Sequence, residues 1–264
     1  MTVWEDLERP PLRAASLVRG LVRDRSPWTE VRVLEVTGST NADVAAAARA
    51  GAPAGLVVVA EAQVSGRGRL GREWSAPPRS ALTFSVLLRP AFPRARWGWL
   101  PLLAGLAVAS AVRHLGELAV SVKWPNDVLV GERKLAGVLA EVVGDAVAVG
   151  IGLNVSMRAD ELPVPTATSL AIEGAEVEDR DPLLRAVLRE IARSYEDLTE
   201  AGGDAEAAGL RSAYLAASGT VGRVVRLELP DGSGVTGLAE GVDAAGALVV
   251  DGKAWHSGDV VHVR

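Results

Sequence analysis

The chain of 264 residues contains no cysteine. That absence excludes disulfides, thiolate-held metals and a cysteine nucleophile. Histidine is nearly absent as well. His114, His256 and His262 are the only three, and each reads most simply as a structural residue. No catalytic-serine motif is evident. No apolar run reaches the roughly 18 residues of a membrane-spanning helix. Residues 100–112 are apolar but short and run into Arg113-His114, so a buried core helix is expected there. The N-terminus mixes acidic residues and arginines, without the apolar stretch of a signal peptide. The expectation is a cytoplasmic protein with no membrane partner. A net charge of −5 argues against general nucleic-acid binding.

Lysine is the other scarcity. Only Lys123, Lys134 and Lys253 occur among 28 basic residues. Two of them fall close together, in Lys123-Trp124-Pro125-Asn126-Asp127 and in Glu132-Arg133-Lys134-Leu135-Ala136-Gly137. Where arginine is the default cation, a lysine points to a place for a compact ammonium; chance placement is the competing explanation.

Against this background the segment Gly66-Arg67-Gly68-Arg69-Leu70-Gly71-Arg72-Glu73-Trp74 stands out. Glycine allows positive φ and close backbone approach. Successive N–H groups in such a loop can cradle an anion. Arginine adds a planar fork that matches carboxylate or phosphate oxygens. The segment has neither the Gly-Lys-Ser/Thr of a phosphate-binding P-loop nor the spacing of a dinucleotide fingerprint. It is either a loop that closes over a phosphate-bearing small molecule or a solvated Arg/Gly turn.

Length suits one sizeable unit plus a small one, and 48% hydrophobic residues are ample for a core. Residues 1–30 read as an N-terminal extension with a helix over 11–23. Strands are expected at 31–37, 56–62, 81–88 and 120–124, and helices at 41–50, after Ser39 or Thr40 as cap, and at 97–115. A meander follows over 127–130, 134–143 and 146–155, with Gly144-Asp145 as a hairpin turn. Asp181-Pro182 caps and starts a helix to about 200, and a further helix spans 205–217. After Gly219 short β-branched runs alternate with turn signals and read as a small β-barrel. The boundary falls at 218/219, leaving 31–218 as the larger unit. The class is α+β, or mixed α/β.

The ordered blocks resemble the biotin–protein ligase family. Besides the arginine segment and the two lysine blocks, the resemblance rests on Gly38-Ser39-Thr40-Asn41, Ala60-Glu61-Ala62-Gln63 and Gly150-Ile151-Gly152-Leu153-Asn154-Val155. It covers residues 31–170 and is compatible with the remainder. It implies the short form, with no room before Ser39 for a DNA-binding winged helix. The implied fold is a class II synthetase-like mixed sheet flanked by helices, plus a small SH3-like β-barrel. The implied reaction uses ATP and Mg2+ to make biotinyl-5′-AMP and transfers biotin to a lysine of a biotin carboxyl carrier protein. No nucleic acid takes part, and the protein is a monomer or weak homodimer. A lipoate–protein ligase of the same superfamily and a non-enzymatic biotin-sensing regulator are the alternatives.

Residue by residue, the resemblance places Arg67 and Lys134 in catalysis. It places Ser39, Thr40, Asn41, Gln63, Gly66, Arg67, Gly68, Arg69, Lys134 and Gly137 around biotin. Arg69, Arg72, Trp74, Asn126 and Asn154 fall to ATP, and Asp127 to magnesium. Competing structural roles stay open: Ser39 and Thr40 as helix caps, Trp74 as a core anchor, Gly137 as a plain strand glycine, and Asn154 as a turn stabiliser.

Overall fold

The structure is a computed structural model that describes residues 9–263 except 25, 176 and 178. In chain order the elements are α1 (Ala14–Leu21), β1 (Glu30–Thr37), α2 (Thr40–Arg49), β2 (Leu56–Gln63), the short β3 (Gly66–Arg67) and β4 (Glu73–Trp74), and β5 (Ala81–Leu88). Then come α3 (Trp99–Gly116), β6 (Val120–Lys123), β7 (Asp127–Val130), β8 (Arg133–Val143), β9 (Ala146–Asn154), α4 (Arg180–Glu200) and α5 (Leu210–Ala217). The chain closes with β10 (Val224–Glu228), β11 (Gly234–Val242), β12 (Leu248–Val250), β13 (Lys253–Trp255) and β14 (Asp259–His262).

Seven strands form one sheet in the order β1-β2-β5-β9-β8-β7-β6. β1 and β2 are parallel and joined through α2, and the other neighbours are antiparallel. The sheet is therefore mixed, as expected for the α+β class.

Strand alternation decides which face each helix covers. β9 presents Val147, Val149, Ile151 and Leu153 to one side and Ala146, Ala148, Gly150 and Gly152 to the other. The bulky side joins Val57, Val59, Phe84 and Val86 in the main core, which takes in the buried faces of α3 and α4. The small-residue side receives α2, whose Val44 and Ala48 pack with Leu56, Val58, Leu87, Ala146 and Ala148. At ten residues, α2 covers only one end of that face. Beyond its N-terminus the small-residue surface is left uncovered by helix, and the cavity described below lies there.

Residues 94–116, which contain α3, are long and apolar enough to cross a membrane by length and composition alone. Here that apolar length is spent on packing: Trp99, Leu100, Leu103, Val108 and Val112 are all buried in the core.

Helix boundaries differ from expectation in several places, and α1 runs only over Ala14–Leu21 rather than 11–23. α4 is capped by Asp179, whose carboxylate accepts the Asp181 N–H at 2.9 Å. Asp181 itself is buried and accepts from the Arg13 backbone N–H (3.2 Å) and Nε (3.0 Å). Pro182 then falls inside the first turn, where its missing N–H costs nothing. The helix expected over 205–217 is broken at Gly209, whose φ of 68° is left-handed, so α5 starts at Leu210. Of the N-terminal extension, the first eight residues lie outside the described residues. The rest does not hang free: Arg9 donates to the Ser156 carbonyl (2.9 Å) and pairs with Glu161 at 2.5 Å.

The C-terminal strands form a five-stranded antiparallel sheet in the order β13-β12-β11-β10-β14, the expected SH3-like element. Its tight turns use Gly232 and Gly246 at φ 83° and 85°. Two indoles fasten it to the larger unit. Trp124 Nε1 donates to the Gly246 carbonyl (3.0 Å) and Trp99 Nε1 to that of Ala244 (3.2 Å).

Candidate functional site

Strand register lays out the floor of a cavity of about 520 Å³. One row runs Asp127, Gly137, Gly152, Thr83 across β7, β8, β9 and β5. The next runs Leu139, Gly150, Ser85 across β8, β9 and β5. Directly paired residues share a face, so three glycines leave the middle of this floor bare. The space above them is used. A Cβ at Gly152 would come within 2.3 Å of the Trp74 ring, and one at Gly150 within 2.8 Å of Asn41 Oδ1. The indole of Trp74 thus rests against the sheet at Gly152, inside the cavity. Gly152→Ala is expected to displace it, at a stability cost of about 1–3 kcal/mol for overpacking. Weakened ligand binding with a shifted tryptophan emission would be the matching result.

One end of the cavity is neutral and polar. Ser39, Thr40 and Asn41, at the start of α2, are all buried. Gln63 Oε1 accepts from the Thr40 backbone N–H (2.8 Å) and hydroxyl (3.1 Å), and the Thr40 and Ser85 hydroxyls are 2.8 Å apart. Neither Ser39 nor Thr40 caps the helix with its own side chain. The cap comes from Gln63, which leaves the Ser39 hydroxyl without a capping bond. Asn41 donates to Glu141 on β8, and its Oδ1 is buried with no hydrogen-bond partner. A buried, unpaired acceptor is costly, so this end is built to receive a donor.

The other end is charged. Lys134 Nζ lies 2.7 Å from Asp127 Oδ1, the two side chains being 35% and 20% exposed. The Lys134 backbone is pinned on both sides, its N–H donating to Thr166 O (2.7 Å) and its carbonyl accepting from Thr168 N–H (2.8 Å). Its side-chain end passes within 3.2 Å of where a Cβ of Gly137 would sit. Lys123 and Glu132 also line this end. Hydrogen bonds from His262 and then Arg223 hold the Glu132 carboxyl down at about 2, so it is an anion at neutral pH. Burial pushes the His262 ring below its ordinary value, and contact with Glu132 only partly offsets that.

The residues do not form a protein cage for magnesium. Asp127 is engaged by Lys134, and among the described residues no three carboxylate or histidine side chains converge on one point. Magnesium can bind through substrate phosphates while keeping its waters, and such an ion needs no protein cage.

The arginine segment folds as a hairpin at the cavity. β3 pairs with β4 through Gly66↔Trp74 and Arg67↔Glu73, and the tip turns through Leu70 and Gly71 at φ 55° and 74°. Two of its arginines are tied to other parts of the chain. Arg69 donates to Asn126 Oδ1 (3.1 Å) and lies 3.5 Å from Asp259, and Arg72 pairs with the same Asp259 at 2.6 Å. Burial lowers the affinity of the Arg69 guanidinium for its proton, with Asp259 opposing the shift. Asp259 belongs to β14, so the C-terminal sheet holds the hairpin. Arg67 is exposed and has no ion-pair or hydrogen-bond partner among the described residues.

Fourteen of the fifteen candidate residues line this one cavity. Gly66 does not. It is buried beneath β4, where a Cβ would strike the Trp74 carbonyl at 2.3 Å, so its role is to let the hairpin close. Asn154 faces the cavity, but its Nδ2 donates to the Thr168 carbonyl at 2.8 Å and so straps the following loop. Thr83, Ser85, Glu132 and Glu141 escaped the sequence analysis. For the first two a signal existed: they are the only polar side chains in the fully buried strand β5.

Residues 33–157 match the biotin/lipoate A/B protein ligase family, and residues 220–263 match the biotin protein ligase C-terminal domain. The biotin–[acetyl-CoA-carboxylase] ligase of Mycobacterium tuberculosis is 42% identical over 268 residues, covering 98% of each chain. The chain belongs to the biotin–protein ligase family. Its relative of the same name in Paracoccus denitrificans is 34% identical over 84% of this chain and 94% of its own. A biotin protein ligase from Aquifex aeolicus, solved in complex with biotin and ATP, superposes with a TM-score of 0.73 at 29% identity, over 90% of this chain and all of that one. The ligase-family match ends at 157, so it spans every cavity residue through Asn154 and stops short of the Pro163–Ala167 rim.

Proposed function

We propose that this chain joins biotin to ATP as biotinyl-5′-AMP and then transfers the biotinyl group to a lysine of a biotin carboxyl carrier protein. The observation that carries this is one continuous cavity with a neutral hydrogen-bonding end, a glycine floor walled by the Trp74 indole, and a cationic end. Biotin has the same order of parts: a ureido ring, an apolar middle and a carboxylate. The ureido group offers two N–H donors and a carbonyl acceptor. Asn41 Oδ1 and the Ser39, Thr40, Gln63 and Ser85 side chains complement it. The thiolane ring and valeryl chain run along the glycine stretch of Gly150, Gly152 and Gly137, beside the Trp74 indole that rests on Gly152.

At the cationic end a biotin carboxylate oxygen attacks the α-phosphorus of ATP, and pyrophosphate leaves. Such a step needs alignment and charge stabilisation more than a covalent nucleophile. Lys134 and Arg67 meet the developing charge, with Gly68 allowing close approach. Arg69, Arg72 and Asn126 hold the nucleotide, and the Trp74 face and Asn154 border adenine. Asp127 orients Lys134, and magnesium travels with the phosphates. In the second step the acceptor lysine amine attacks the acyl carbon, and AMP leaves with the bond electrons. Excluding water from the anhydride protects it in between.

Residues 31–218 form the catalytic unit and 219–264 the small barrel. The protein acts in the cytoplasm as a monomer or weak homodimer and needs neither nucleic acid nor membrane. Lipoate is the weaker substrate on chemical grounds. It has no ureido group, and a site whose buried polar atoms are left unpaired discriminates strongly. The test is incubation with ATP, magnesium, biotin and a carrier domain, followed by intact mass. Gain of one biotinyl group on the carrier is expected, and an unmodified carrier would reject the function.

A further inference from the structure

Strand β2 turns from apolar to charged just before it reaches the cavity. After Val57, Val58, Val59 and Ala60 comes Glu61, which is 4% exposed. Its Oε2 pairs with Arg180 Nη2 of α4 at 2.7 Å, both side chains being 3% exposed. Its Oε1 accepts the Leu12 N–H at 2.6 Å. Arg180 also donates to the carbonyls of Pro10 (2.9 Å) and Ala81 (3.2 Å). The neighbouring Arg13 is held by Asp179 and Asp181.

Neither Glu61 nor Arg180 lines the main cavity. A buried ion pair is also weak evidence for stability, since apolar replacements of both partners often do as well. What such a pair does provide is fixed geometry. The β2–β5 pairing stops at Ala60↔Thr83, whereas β2 continues beside β1 to Thr37↔Gln63. From Glu61 to Gln63 the strand therefore lacks a partner strand on the β5 side. In its place stand the Arg79 N–H, donating to the Glu61 carbonyl at 2.8 Å, and the Arg180 clamp. Glu61, Gln63 and Trp74 line one small space next to the cavity.

We propose that Glu61 and Arg180, closed by residues 10–13 of the N-terminal segment, are positioning residues that set the Gln63 amide for the polar ring of biotin. This rests on the assignment of Gln63 to that ring made above. The clamp acts through the free end of β2, two residues from the amide it controls. The N-terminal segment is thereby part of the biotin half-site.

Binary biotin binding, measured by calorimetry without ATP, tests it on the full chain. The paired variant Glu61→Gln/Arg180→Met leaves no buried unpaired charge. It is expected to unfold cooperatively near the parent and to bind biotin roughly threefold to tenfold more weakly, the scale of one misaligned hydrogen bond. ATP affinity should not change. The loss should vanish when Gln63→Ala is added, because the clamp then has nothing to position. Should the paired variant fail to fold, Arg180→Lys keeps the charge but cannot span three acceptors, and the same weakening is expected of it. Parental biotin affinity, an equal loss for ATP, or an undiminished loss in the Gln63→Ala background would each overturn the proposal. Unchanged biotin binding in Gln63→Ala alone would instead remove the assignment on which it stands.

Discussion

Lys134→Ala is expected to lower the rate of adenylate formation about a hundredfold, since a hydrogen bond to a charged group contributes roughly 1.5–3 kcal/mol. Two effects act together. The substitution removes the cation proposed to face the carboxylate and phosphate, and it leaves the Asp127 carboxylate, 2.7 Å from Nζ in the parent, without that partner. Asp127→Ala in the Lys134→Ala background should therefore recover part of the loss, and the two changes should not add. Lys134→Arg should rescue poorly. The lysine chain runs within 3.2 Å of the Gly137 Cβ position, a path that suits a narrow ammonium better than a planar fork. Thermal stability should barely move, because the side chain is 35% exposed. Single-turnover AMP formation is the measurement, and full activity in Lys134→Ala would remove this residue from the chemistry.

The second large effect is expected in the arginine hairpin. Arg67 has no partner among the described residues, while Arg69 and Arg72 share Asp259. An incoming nucleotide phosphate is expected to compete with Asp259 for those two guanidinium groups. Arg67→Gly should leave the melting temperature nearly unchanged, since an exposed loop position contributes little to the core. It should also loosen retention of biotinyl-AMP enough for the activated acyl group to label an added lysine-rich bystander protein. Trypsin should cut at Arg67, Arg69 or Arg72 in the free protein and be blocked when biotin and ATP are both present. Asp259→Ala should increase cutting in the free state, because the C-terminal anchor is gone. Ligand-insensitive cleavage together with parental retention of the intermediate would show the hairpin to be a solvated turn.

The strands, the long core helix and the clustering of glycine with arginine at 66–72 were legible in the sequence. Contacts between distant parts of the chain were not. Asp259 lies 187 residues beyond Arg72, and nothing local in its Ser257-Gly258-Asp259 surroundings announces two arginine partners. The cap of α2 misled for a related reason. Ser39 and Thr40 carry the local signal for self-capping, yet Gln63 arrives through the parallel β1–β2 pairing and takes that role. Gly66 looked like its neighbours in the Arg/Gly run, but strand pairing buries it under Trp74 whereas Gly68 reaches the cavity. Helix boundaries failed where two signals competed: Asp179 and Asp181 both suit an N-cap, and only the burial of Asp181 against Arg13 separates them.

The claim that the cavity activates biotin is tested most directly by exchange of labelled pyrophosphate into ATP, with no carrier protein present. Exchange that depends on biotin, is not supported by lipoate, and collapses in Lys134→Ala is the predicted result. No biotin-dependent exchange by the folded parent protein, or equal exchange with lipoate, would contradict it.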